Sequence, residues 1–322
     1  MRGAAASGPL RPSGPMLDRE VRSFCTPTNG VVRSIAMFGT ALTDVPARRI
    51  VGPMSATAHS LPHASAETAW SSVKDASQFR ARGLLIEAKP AAAENRLLAA
   101  LTDRSREAFL ASCDHVALRT AEVLCRSGEQ IRYVYFPLDC CLLQMAGLDG
   151  GERLEVGMVG DEGMLGVSLI LGVNVWPQLA LVQGSGTALR MGAALFRRHC
   201  RESLGLRQEM QRYAYVLMSQ LARSITCTHY HVVEARLARW LLMTRDRAHA
   251  NQIRLTHEAL SELLGVRRAG VTRAASSLRR RKLIRYTRGH ITILDQHGLE
   301  AAACGCYAAD KKTYSNALGY AA

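Results

Sequence analysis

Residues 254–294, RLTHEALSELLGVRRAGVTRAASSLRRRKLIRYTRGHITIL, constrain this chain more tightly than any other stretch. Thr256 is placed to cap a helix, and Glu258 lies in the first turn, where negative charge suits the helix dipole. Ala259, Leu260, Leu263 and Leu264 recur at helical spacing, and Gly265 supplies the left-handed residue that ends such a helix sharply. A second amphipathic helix is expected from about Arg268 to Arg280, turning Val271, Ala274, Ala275 and Leu278 inward. Its outer face presents Arg267, Arg268, Thr272 and Arg273. Two short strands then form a basic wing.

Charge is concentrated in the same place. From Arg254 to Arg288 ten arginines and lysines face only Glu258 and Glu262, a net of +8 out of +14 for the whole chain. That density points to a phosphate-binding surface rather than an ordinary solvated helix. Two helices across a tight turn, the second of them basic, are the arrangement that enters the major groove of DNA.

The segment resembles the winged helix-turn-helix of the Crp/Fnr family of bacterial transcription regulators. The likeness runs on through Leu283-Ile284-Arg285-Tyr286 and Arg288-Gly289-His290-Ile291 into a closing helix around Leu299 to Tyr307. Upstream it extends, more weakly, to Glu94. It implies an α+β chain in which a cyclic-nucleotide-binding-like β-roll spans 94–200. A dimerisation helix over 201–230, a winged helix-turn-helix over 231–310 and a tail over 311–322 follow. The implied partners are double-stranded operator DNA, a second copy of the chain and RNA polymerase, with no membrane, in the cytoplasm. Arg268 and Arg273 match the family's base-contacting positions, and Thr272 shares their face. Thr256, Arg267, Arg285, Arg288 and His290 are placed for phosphates, which fix register rather than sequence. Where the family commonly has Glu, this chain has Ala269. Without that acceptor for a cytosine amino group, a different half-site is expected.

The remaining sequence sets the frame. Residues 1–90 are rich in Ala, Ser, Gly, Pro and Arg without sustained periodicity, as in a disordered extension or one begun at too early a start codon. Folding is expected to begin near Glu94 with helical spacing of Leu97, Leu98, Leu101, Phe109 and Leu110. Ile131–Pro137, Cys141–Leu148 and Arg153–Val159 then read as strands, the last two joined by an Asp149-Gly150-Gly151 turn. Gly163 to Leu189 carries no charge, but its five glycines, Pro177 and β-branched residues fit buried strands and turns better than a membrane span. A helical region from Leu195 to Thr228, broken near Gly205, places Leu206, Met210, Tyr213, Leu217, Gln220, Leu221 and Ser224 on one stripe. The resemblance assigns this helix to dimer pairing. Val232 to Arg247 is expected as a further helix that feeds Leu237, Trp240, Leu241 and Leu242 into the DNA-binding core.

The input side is less legible. In the family's cyclic-nucleotide binders a Gly-Glu pair holds the ribose and an arginine neutralises the phosphate. Here Glu162 matches the first, but Trp176-Pro177-Gln178 stands where the arginine belongs. Burying an unmatched phosphate costs several kcal/mol, so control by cyclic AMP is not expected. Glu162 and Gln178 remain weak candidates for an effector pocket. The scattered cysteines do not reproduce an iron–sulfur spacing. Cys227, His229 and His231 form a tempting metal trio, but His229 points off the shared helical face and zinc needs further ligands. Cys304 and Cys306 are poorly spaced as a pair on a helix. The reading is therefore of core or hinge residues, with no metal and no cofactor, and no motif suggests an enzyme. The rival function is a ligand- or protein-binding sensor without specific DNA readout.

Overall fold

The computed structural model describes residues 85–86, 94–147 and 153–320. Asn95 starts the roll: its side-chain oxygen caps α1 (Arg96–Ala99) at Leu97 and Leu98, while its amide donates to the Pro137 and Gly163 carbonyls at 3.0 and 2.9 Å. After α2 (Asp103–Leu110) the apolar period shortens to two. The strands are β2 (Asp114–Leu118), β3 (Val123–Cys125), β4 (Tyr133–Pro137), β5 (Cys141–Gly147), β6 (Arg153–Val159), β7 (Leu179–Gly184) and β8 (Gly186–Gly192). One sheet has the order β2-β8-β4, and β5 lies between β6 and β7 in the other. The expected Asp149-Gly150-Gly151 turn lies outside the described residues, though Gly147 and Arg153 pair across it. The uncharged stretch forms a 3₁₀ turn (Val167–Leu171) and β7 and most of β8. No helix among the described residues is long and apolar enough to cross a membrane.

Helices α3 (Ala193–Glu202) and α4 (Leu204–Tyr230) follow, broken at Ser203, whose hydroxyl accepts from Leu206 N. Most of the apolar stripe expected on α4 faces inward, Leu221 excepted. Leu206, Met210, Tyr213 and Gln220 are buried against the roll, whereas Leu204, Tyr215, Met218, Leu221 and Ile225 stand exposed. Both faces of α4 carry apolar residues at helical spacing, so the pattern alone did not say which face the roll takes.

The second half is α5 (Val233–Ala248), β9 (Gln252–Arg254), α6 (His257–Leu264), α7 (Arg268–Arg280), β10 (Ile284–Thr287), β11 (His290–Ile293), α8 (Gln296–Ala302) and α9 (Cys306–Leu318). Two expectations change here. The closing helix around Leu299 to Tyr307 is interrupted at 303–305, and residues 311–318 of the supposed tail complete α9. Tyr314 and Leu318, one turn apart on α9, bury in the roll core, which holds that segment in place. The expected extension over 1–90 is described only at β1 (Leu85–Ile86). There Ile86 pairs parallel with Gly184 of β7, and Leu85 pairs antiparallel with Arg254 of β9. The backbone groups of β1 satisfy two strand edges that would otherwise lie open, which is why this piece is ordered into the sheet.

Strand β5 explains how the two halves pack. Its side chains alternate: Leu142 enters the roll core, while Cys141, Leu143 and Met145 enter the core of the C-terminal half with Leu237, Leu241, Ile253 and Leu260. A strand buried on both faces reads as a nearly continuous apolar run, as CLLQMAG does. Each buried leucine of this kind contributes about 1.5–3 kcal/mol.

Candidate nucleic-acid interface

Local chemistry sets the angle between α6 and α7. The Thr256 hydroxyl accepts from Ala259 N at 3.2 Å, and Glu258 occupies the first turn. Gly265, at φ 60°, ends α6, and its N–H and that of Val266 return to Glu262 O and Ser261 O. The αL backbone there turns the chain within three residues, and α7 packs through buried Val271, Ala274, Ala275 and Leu278.

Packing that face inward turns the cations out. Arg267, Arg268, Thr272 and Arg273 are exposed. Arg268 leaves 71% of its side chain in solvent, with Glu258 only loosely opposed at 3.9 Å. No acidic side chain occupies the first turn of α7, and Arg267 caps it without a side-chain hydrogen bond. Two arginines at a positive helix end are unfavourable until an anion arrives, and the free N–H groups there suit a phosphate. Thr272 is more committed than its neighbours. Its hydroxyl donates to Arg268 O at 3.1 Å and lies 3.0 Å from His257 Nδ1. The His257 ring stacks on Tyr286 of the wing at 4.4 Å. Burial, and then the Arg268 charge, lowers the pKa of His257 below its ordinary 6.5, favouring the neutral ring.

At the wing tip Thr287 pairs with His290 around Arg288 and Gly289, at φ 45° and 83°. Two positive-φ residues make a type I′ turn, which matches the strand twist and pushes Arg288 to the apex. Arg285, Arg288 and His290 are exposed there, whereas Thr256 is half-buried and employed as the cap. Arg281 is spent otherwise, pairing with Glu234 at 3.0 Å.

A cavity of about 160 Å³ lies between the roll and α4, lined by Gln144, Val156, Trp176, Gln178, Leu217 and Gln220 among others. No arginine or lysine is among its described lining residues. Gln178 lines this cavity, whereas Glu162 lines a larger one of about 480 Å³ with Arg96, Arg247 and Tyr314. The Glu162 carboxylate sits 2.8 Å from Arg247 Nε of α5 and accepts from Gly160 N at 3.1 Å, so it serves the joint between the halves. A glutamate three residues beyond strand β6 is drawn to the nearest buried cation, and α5 supplies it. Nearby, His249 Nε2 meets Asp161 at 3.2 Å, and the Trp240 indole donates to Glu155.

The cysteine and histidine positions are redistributed. His229 is exposed and packs edge-on against Tyr230, apart from Cys227 and His231. The latter two instead meet Cys304 and Cys306, which the break between α8 and α9 brings to the end of α4. Sequence reading missed this meeting; the available signal was two unexplained ligand pairs at the two ends of one domain.

The family model of the Crp-like helix-turn-helix domain matches residues 235–302. No curated protein matches the chain. Among solved structures, FixK2 from Bradyrhizobium japonicum superposes with a TM-score of 0.52 at 14% identity, covering 60% of this chain and 98% of that one. A protein of the Crp/Fnr family from Eubacterium rectale gives 0.52 at 18% identity, over 65% and 99%. The c-di-GMP responsive regulator CLP of Xanthomonas campestris gives 0.50 at 16%, over 60% and 99%. These likenesses establish the fold.

Proposed function

We propose that this chain, of Crp/Fnr type by its helix-turn-helix domain and its fold, is a sequence-specific DNA-binding transcription regulator acting as a cytoplasmic homodimer. One observation carries the reading: the exposed basic face in which Arg268 and Arg273 project from α7 while Arg285 and Arg288 flank it on the wing. Arginine forks on a groove-entering helix suit guanine edges, and the wing cations suit the backbone. Double-stranded operator DNA is the first partner, and RNA polymerase is the second that such a role calls for. No enzymatic activity is assigned.

Two-fold assembly is supported by the apolar stripe that α4 leaves in solvent, with Met218 at 64% and Ile225 at 73% exposure. Control by something other than cyclic AMP is supported by the cavity beside α4, whose described lining offers no cation to a buried phosphate. Selection from a random duplex pool tests the whole reading. Enrichment of a two-fold motif is the expected result, and unenriched, salt-sensitive binding would favour a sensor without specific readout.

A further inference from the structure

We propose that Cys227, His231, Cys304 and Cys306 form a closed zinc site that pins the end of α4 to the junction of α8 and α9. The four ligating atoms all lie within 4.8 Å of one another. The Cys227 and Cys304 sulfurs are 3.5 Å apart, and the Cys306 sulfur is 3.6 Å from His231 Nδ1. With zinc–sulfur bonds of about 2.3 Å and zinc–nitrogen bonds of about 2.0 Å, the edges of a tetrahedral site are roughly 3.6–3.8 Å. Two observed edges thus match the metal geometry, and the widest separation needs to close by about an ångström.

Local structure explains how the ligands come together. Cys227 and His231 stand one turn apart where α4 ends, and the His231 N–H still bonds to Cys227 O at 3.1 Å. Cys304 lies in the non-helical link and Cys306 opens α9, on either side of Gly305, so the pair escapes the divergence that i, i+2 spacing imposes within one helix. All three cysteines are buried and His231 is half-buried. Four protein ligands leave no open position, which is the pattern of a structural rather than a catalytic zinc. Mixed thiolate and imidazole donors in this number suit zinc.

The surroundings point the same way. Three thiolates, a neutral imidazole and a divalent ion sum to one negative charge. Arg236 and Arg239 of α5, both buried, line one small cavity with Cys227. Arg239 holds Asp310 at 2.7 Å through one nitrogen, yet its buried Nε has no hydrogen-bond partner among the described residues. A metal-bound sulfur is the acceptor such a donor lacks.

The test uses the full chain purified under reducing conditions without added metal. Elemental analysis is expected to give about one zinc per chain, and cobalt exchanged into the site should show the intense visible bands of tetrahedral thiolate coordination. Cys304→Ser and Cys306→Ser should each lose most of the metal. If those variants fold poorly, His231→Cys, which keeps four ligands, should retain zinc, and so should the outlying His229→Ala. Metal below about a tenth of an equivalent in the parent, zinc retained by both serine variants, iron with sulfide in place of zinc, or a Cys227–Cys304 disulfide without metal would each overturn the proposal.

Discussion

Glu162 and Arg247 form a nearly fully buried ion pair, 2.8 Å apart, at the joint between the roll and α5. Arg247 also donates to the Met158 and Met243 carbonyls at 3.2 Å, so the guanidinium is held from both halves. Removing the carboxylate leaves that cation buried and uncompensated. Glu162→Ala is therefore expected to destabilise the chain by about 3–5 kcal/mol, and Glu162→Gln by less. Chemical denaturation checks this. A change under about 0.5 kcal/mol, the level of an ordinary surface position, would contradict the role at the joint.

On the proposed function, the exposed arginines of α7 and the wing should separate by what they touch. Arg268→Ala or Arg273→Ala is expected to relax preference at one base pair of each half-site by about 1–3 kcal/mol. Arg288→Ala, at the wing apex, should weaken all sequences alike and reduce the slope of affinity against salt. Thr272→Val is expected to change specificity little, because its hydroxyl already serves Arg268 O and His257. Binding measured across a panel of single-base operator variants distinguishes these outcomes.

The residues that were legible in the sequence are those whose partners are near in the chain. Thr256 and Ala259, or Gly265 and Ser261, define a cap and a turn within a few positions, so α6 and α7 appear in the sequence with their observed bounds. The pairing of Glu162 with Arg247, by contrast, has no local signature, because the two stand 85 positions apart. The meeting of Cys227 with Cys304 spans 77 positions and depends on where α8 stops. Tyr314 and Leu318 looked like part of a tail because the surface they cover belongs to the roll. For α4, the spacing revealed two apolar faces, and only the packed roll decides which of them is buried.

Two groups at the joint make its stability fall as pH rises. Burial raises the Glu155 carboxyl from 4.5 to about 7, more than the Trp240 hydrogen bond lowers it, so the folded state prefers the neutral acid. The hydrogen bond to Asp161 raises His249 above 6.5, with Glu162 adding to it and Arg96 opposing. Both groups bind protons more tightly when folded. The Glu155 contribution is thus full below pH 4.5 and is lost as pH climbs through about 7. That of His249 is full below pH 6.5 and is lost through its raised folded value. His257 acts oppositely, losing stability only as pH drops below 6.5. Denaturant midpoints measured against pH should decline from acid to alkaline, with Glu155→Gln flattening the lower part and His249→Asn the upper part. A parent profile that rises steadily across this range would refute the assignment.

Tyr215, Met218, Leu221 and Ile225 stand exposed on α4, although their neighbours Tyr213, Val216 and Gln220 are buried. On the proposed dimeric reading, this apolar stripe on one side of a 27-residue helix is the half of an isologous contact that a second copy completes. Charges placed there should therefore break the dimer without unfolding the protomer. Met218→Glu with Ile225→Glu is expected to cost the protomer no more than about 0.5 kcal/mol per site, since both side chains already stand in water. The same pair should weaken self-association by about tenfold or more at each position, because a carboxylate in the centre of the contact is desolvated without a partner. Sedimentation velocity reads the association directly. Gel-shift titration then shows whether binding to a two-fold site falls to the level of a single half-site. An unchanged dimer in the double variant would remove this face of α4 from the interface and require another surface to pair the reading helices.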